Sequence, residues 1–62
     1  MQPNAEFLCG AVVRLMTPYR EAGRGLYTIV YIYRNGWLCL VSQRDGRRFN
    51  VPAFLCRVVA SA

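Results

Sequence analysis

The sequence predicts an all-β domain of five short strands, with a short helical turn before the last. Three observations carry this expectation. Residues 26–51 (LYTIVYIYRNGWLCLVSQRDGRRFNV) form three runs rich in β-branched and aromatic residues, which fit a pleated surface. Asn35-Gly36 and Asp45-Gly46 separate those runs, and such pairs favour two-residue type I′ hairpin loops. No stretch of useful length carries apolar residues at helical spacing.

Along the chain, residues 1–6 are polar and contain a proline, so they read as a flexible N-terminal tail, with the domain at 7–62. Residues 7–16 (FLCGAVVRLM) read as the first strand. Alternation puts Phe7, Cys9, Ala11, Val13 and Leu15 on one face, and Gly10 and Arg14 on the other. Residues 17–25 (TPYREAGRG) collect Pro, Gly and charge into one long loop. After the three-strand block, Pro52 breaks the ladder because it has no N–H to donate. A helical turn there leads into a last strand over 55–59.

If both hairpin loops are two residues long, the register follows. Arg34 then faces Trp37, Tyr33 faces Leu38, Ile32 faces Cys39 and Tyr31 faces Leu40. Across the second loop Arg44 faces Arg47, Gln43 faces Arg48, Ser42 faces Phe49, Val41 faces Asn50 and Leu40 faces Val51. Opposed residues share a face. Tyr27, Ile29, Tyr31, Tyr33, Leu38, Leu40, Ser42, Phe49 and Val51 fall on the more apolar face, which is the expected core. Thr28, Val30, Ile32, Arg34, Trp37, Cys39, Val41, Gln43, Arg48 and Asn50 fall on the other. A β-bulge in the long second strand would swap part of this assignment, with 26–29 the part at issue.

Composition narrows the function. A chain of 62 residues is one domain, and at that size it buries only about 60% of its unfolded surface, so oligomerisation is a common remedy. The net charge is +5 and all 8 basic residues are Arg. Arg binds phosphate bidentately and stacks on bases, so a polyanion, most simply nucleic acid, is the expected partner. His is absent and the only acids are Glu6, Glu21 and Asp45, which leaves no nucleophile–base pair. No catalytic residue, cofactor or metal site is expected. Cys9, Cys39 and Cys56 are odd in number and sit in apolar runs, which points to buried thiols in a reducing cytoplasm. No apolar run approaches the length of a membrane span, so no membrane partner is expected.

The second sheet face carries the candidate site. Arg34, Trp37, Arg48 and Asn50 lie near one another on it, and an aromatic flanked by guanidiniums suits single strands or splayed bases. Arg44, Arg47 and Arg48 make a basic tip at one hairpin end, and Tyr19, Arg20 and Arg24 in the long loop extend the patch. The same face supports a second reading. Val30, Ile32, Trp37, Cys39 and Val41 form an apolar band that a second copy, or another protein, would cover.

Several of these segments resemble known families. Gly10-Ala11-Val12-Val13-Arg14, Gly25 at the start of the second strand and the closing run Arg48-Phe49-Asn50-Val51-Pro52-Ala53-Phe54-Leu55 resemble the SH3-type small barrel. The closing pattern, an aromatic, then Val-Pro, then Leu, is similar to the ends of KOW and Tudor-like domains and of retroviral integrase C-terminal domains. The resemblance spans residues 7–59 and implies a five-stranded SH3-like barrel. Gly10, Val13 and Arg14, with Pro52, Leu55 and Arg57, are also similar to plasmid type II dihydrofolate reductases, although Leu55 sits one residue closer to Pro52. Those enzymes are tetramers with a Val-Gln-Ile-Tyr strand lining the pore. Here Arg48-Phe49-Asn50-Val51 stands in that region, so the resemblance implies a homo-oligomer and not the reductase activity.

Overall fold

The computed structural model describes residues 7–62; the tail expected over 1–6 lies outside the described residues. Five strands form one antiparallel sheet: β1 (Val12–Leu15), β2 (Leu26–Ile32), β3 (Trp37–Ser42), β4 (Arg48–Pro52) and β5 (Cys56–Ala60). Their order is β4-β3-β2-β1-β5, so the first and last strands pair and β2 lies at the centre. A 3₁₀ turn, Ala53–Leu55, joins β4 to β5. Pro52 closes edge strand β4 opposite Trp37 without breaking the ladder, since the next N–H, of Ala53, still donates to the Gly36 carbonyl at 2.9 Å. The all-β expectation and the helical turn before the last strand both hold. The arrangement is compatible with a small β-barrel. Among the described residues no helix is long and apolar enough to cross a membrane.

The first strand is shorter than 7–16. Residues 8–11 form a turn in which the Ala11 N–H donates to the Leu8 carbonyl at 3.0 Å. Phe7 only packs against the core from its edge and Cys9 is exposed. Ala11, Val13 and Leu15 are buried, as the alternation requires.

Both hairpin loops differ from type I′, which needs positive φ at two successive residues. Gly36 has φ 91° and Gly46 has φ 75°, but neither Asn35 nor Asp45 has positive φ. Instead, the Asn35 Oδ1 accepts from the Trp37 N–H, and the Asp45 Oδ1 from the Arg47 N–H, each at 3.1 Å. Such Asx turns leave the left-handed position to the glycine that follows. The first loop therefore has three residues, 34–36: Tyr33 N–H donates to Trp37 O and Gly36 N–H to Tyr33 O. The second has four, 43–46, closed by Ser42 N–H to Arg47 O and Gly46 N–H to Ser42 O.

The registers change accordingly. Across β3 and β4, Val41 faces Arg48, Leu40 faces Phe49, Cys39 faces Asn50, Leu38 faces Val51 and Trp37 faces Pro52. This slips by an even number of residues, so every side chain keeps its predicted face. Across β2 and β3 the slip is odd near the turn. Ile32 faces Leu38 and Tyr31 faces Cys39, then a register shift between Ile29 and Tyr31 restores Ile29 opposite Leu40 and Tyr27 opposite Ser42. The bulge thus swaps 31–33, and Tyr27 and Ile29 at the other end stay in the core. Tyr31 and Tyr33, expected inside, are exposed. Ile32, expected on the outer face, moves to the face of Leu38, where it lies at the margin.

The core is built from Val13, Leu15, Ile29, Leu38, Leu40 and Val51, all fully buried, with Ala11, Ala22, Tyr27 and Cys56 completing it. Tyr27 donates its hydroxyl to the Gly23 carbonyl at 2.6 Å and meets Phe49 edge to face, ring centroids 6.0 Å apart. The long loop is anchored to the core by that bond and by buried Ala22.

Candidate nucleic-acid interface

Alternation along β3 turns Leu38 and Leu40 inward and leaves Trp37, Cys39 and Val41 half-buried on the outer face. On β4 the same alternation brings Arg48 beside Val41 and Asn50 beside Cys39. Trp37 opens β3 next to the first hairpin loop, and its backbone is fixed there by the bonds to Asn35 and Tyr33. Tyr33 donates its hydroxyl to the Asn50 Oδ1 at 3.1 Å. Tyr31 meets Tyr33 with ring centroids 4.9 Å apart.

The other flank of Trp37 is closed by the long loop. Tyr19 and Ala22 exchange both backbone hydrogen bonds at 2.9 Å, which makes 19–22 a tight turn and not a free loop. Arg20 sits in that turn at φ 57°, the one non-glycine residue with positive φ among the described residues. The turn holds the Tyr19 ring against Trp37, 6.0 Å between centroids at 76°. The Arg20 guanidinium lies 5.5 Å from the Tyr19 ring centre.

Trp37 and Asn50 therefore form the ridge between two depressions. One is lined by Tyr19, Arg20, Trp37, Arg48 and Asn50, together with Glu21 and Phe49. The other is lined by Tyr33, Asn35, Trp37 and Asn50. A third depression, between the long loop and the second hairpin, takes Arg24, Arg44 and Arg47 and borders the first through Glu21 and Phe49. Arg47 lies 5.6 Å from the Phe49 ring centre and 3.7 Å from a Glu21 carboxylate oxygen. Both partners of that pair are exposed, so it adds little to stability and leaves most of the positive field in place.

The structure thus gathers Tyr19, Arg20, Trp37, Arg48 and Asn50 in one place and puts Arg24, Arg44 and Arg47 in the adjoining one. Arg34 is exposed on the first hairpin loop and lines neither depression. Of the apolar band, Trp37, Cys39 and Val41 remain on the outer face, Val30 stands out at the bulge and Ile32 departs. Tyr31 and Tyr33 join the outer face in its place. Nothing in the alternation marks them, because a bulge reassigns both.

The three thiols occupy different environments. Cys9 is exposed, Cys39 is half-buried beside Asn50 and Cys56 is buried. Only Cys56 matches the expectation of buried thiols in full. Burial pushes its thiol up to about 11, which keeps it protonated and unreactive at neutral pH. Burial also raises the Tyr27 hydroxyl above its ordinary value, with the Asp45 carboxylate adding to the rise and Arg44 opposing it. Among the described residues no three His, Cys, Asp or Glu side chains come together in a way that would hold a metal ion.

No protein-family model, curated protein or solved structure matches this chain.

Proposed function

We propose that the chain is a small nucleic-acid-binding or regulatory module with an SH3-like barrel architecture. Its ligand is a single strand or a set of splayed bases laid across the outer face of β3 and β4. The supporting observation is the placement of Trp37 and Asn50 as a shared ridge between two depressions, with arginines at the rim of one. Bases stack on aromatic rings for about 1–3 kcal/mol each, and guanidiniums meet the phosphates between them. Asn50 adds an amide at the ridge, where base edges would pass.

Trp37 is the single tryptophan of the chain, so its fluorescence reports this site directly. Titration with single-stranded oligonucleotides should quench it at low salt, and the affinity should fall steeply as salt rises. Absence of both quenching and binding at low salt would sink the proposal. Replacing Trp37 with Ala should cost about 1–3 kcal/mol of binding, roughly 5- to 150-fold.

A second reading draws on the bulge. Val30 and Tyr31 are 40% and 58% exposed, and Tyr33 continues this apolar patch. A protein–protein interaction module that self-associates would cover it with a second copy. Association of that kind survives high salt, and a strictly monomeric molar mass at high concentration would eliminate it.

A further inference from the structure

Two arginines that line neither the Trp37 depressions nor the one beside the second hairpin meet at another place. Arg14 on β1 and Arg57 on β5 are direct partners across the antiparallel pair. Both are exposed, while their neighbours Leu15 and Cys56 point into the core. Directly opposed side chains on one face start about 4.5–5.5 Å apart, and like charges placed there repel. A third guanidinium reaches the same depression from the end of the long loop: Arg14, Arg24 and Arg57 line it together with Met16 and Gly25.

No carboxylate answers this cluster among the described residues. Glu21 is engaged by Arg47, and Asp45 caps the second hairpin turn. Three guanidiniums from three separate elements, each with five N–H donors and no acceptor of its own, face one opening. Charge for solubility alone is met by spreading arginines apart. Concentrating them on paired strands raises the energy of the free protein, and an oxyanion bound between them removes that repulsion.

The position of the cluster identifies the oxyanion. Arg24 and Gly25 also line the depression that holds Arg44 and Arg47, and that one borders the Trp37 depression through Glu21 and Phe49. The three openings adjoin, so a basic track leaves the aromatic ridge, passes the second hairpin and ends at the Arg14–Arg57 pair. We propose that Arg14, Arg24 and Arg57 bind backbone phosphates of the same strand whose bases engage Trp37. This assignment rests on the nucleic-acid reading of the Trp37 surface and adds to it a far end, two further contact residues and a dependence on ligand length.

The test uses the full chain carrying Arg14→Gln and Arg57→Gln, with Trp37 fluorescence as the readout for a thymidine dinucleotide and a thymidine decanucleotide over a salt series. Each phosphate contact on a single strand contributes about 0.7 to the slope of log affinity against log salt. Losing two should therefore lower the decanucleotide slope by about 1.4, and Arg24→Gln alone by about 0.7. The dinucleotide, which reaches only the ridge, should bind the variant and the original chain equally. The thermal midpoint of the double variant should be no lower than that of the original chain, since the change removes a repulsion. An unchanged decanucleotide slope in the double variant overturns this site and leaves the Trp37 reading standing. If neither oligonucleotide quenches the original chain, the Trp37 reading falls. Inorganic tripolyphosphate raising the midpoint of the original chain and not of the double variant would then reassign the three arginines to a free oxyanion, overturning the strand assignment.

Discussion

Replacing Asn35 with Gly tests the turn that delivers Trp37, because the two candidate turn types predict opposite signs. In a type I′ loop Asn35 would hold positive φ, and Gly there would be neutral or stabilising. In the structure only Gly36 is left-handed, at φ 91°, and the Asn35 Oδ1 accepts from the Trp37 N–H at 3.1 Å. Asn35→Gly deletes that exposed hydrogen bond, worth about 0.5 kcal/mol or a little more, and adds about 0.5–1 kcal/mol of glycine entropy. The expected result is a loss of about 1 to 1.5 kcal/mol, or roughly 4–12 °C in the thermal midpoint of so small a domain. Gly36→Ala should cost about 1–2 kcal/mol through the backbone alone, since no atom lies within 4 Å of where its Cβ would go. Gly23→Ala is the control: its φ is not positive and its Cβ would also meet nothing within 4 Å, so it should stabilise by about 0.4–1 kcal/mol. Urea unfolding followed by Trp37 fluorescence measures all three. A neutral or stabilising Asn35→Gly would refute the three-residue loop, and with it the outward placement of Tyr31 and Tyr33.

Two other expectations follow from single residues. Burial raises the Cys56 thiol from its ordinary value of 9.0 to about 11, so the folded state holds this proton more tightly than the unfolded chain. Its contribution is complete below pH 9 and is lost as pH climbs to about 11. Urea midpoints should fall across that window in the original chain and fall less in Cys56→Ala. Arg20 occupies φ 57°, which costs a non-glycine residue about 1–2 kcal/mol. Arg20→Gly should therefore be more stable than Arg20→Ala by up to about 1 kcal/mol after glycine's own entropy is counted. Both variants should lose the same oligonucleotide affinity, which separates the backbone effect from the charge.

The alternation inside each strand was legible in the sequence, and it places most of the molecule. Val13, Leu15, Leu38, Leu40 and Val51 turn inward and Trp37, Arg48 and Asn50 outward as a period of two requires. Loop length was not legible. Asn-Gly and Asp-Gly carry two competing solutions: a two-residue loop with both residues left-handed, or a longer loop in which the Asx oxygen caps the chain and only Gly turns left. The dipeptide does not choose between them. In the second hairpin the difference is even and harmless; in the first it is odd and moves Tyr31, Tyr33 and Ile32 to new faces. The Arg14–Arg57 pair was hidden for another reason. It joins the first and last strands, whose register no turn sets, so the sequence offers no local signal of it.

The outer face is built from residues the core does not need. Among the described residues, Val13, Leu15, Ile29, Leu38, Leu40 and Val51 are the large side chains that fill the interior, and Trp37, Tyr31 and Tyr33 lie outside it even though a domain of this size has little apolar burial to spare. These rings are not left loose. Trp37 is held from one side by the Asn35 turn and from the other by Tyr19, whose own turn is closed by paired hydrogen bonds and carries the left-handed Arg20. Tyr33 is fixed to Asn50 through its hydroxyl. Rings fixed before the ligand arrives lose little freedom on binding, so more of the stacking energy appears as affinity. The arginines around them carry a net charge that one exposed ion pair among the described residues scarcely reduces. Rigid aromatic faces beside unneutralised guanidiniums suit a ligand that is flat and anionic along its length. A second copy of this chain, itself at +5, satisfies the first requirement and opposes the second, which is why the nucleic-acid reading leads.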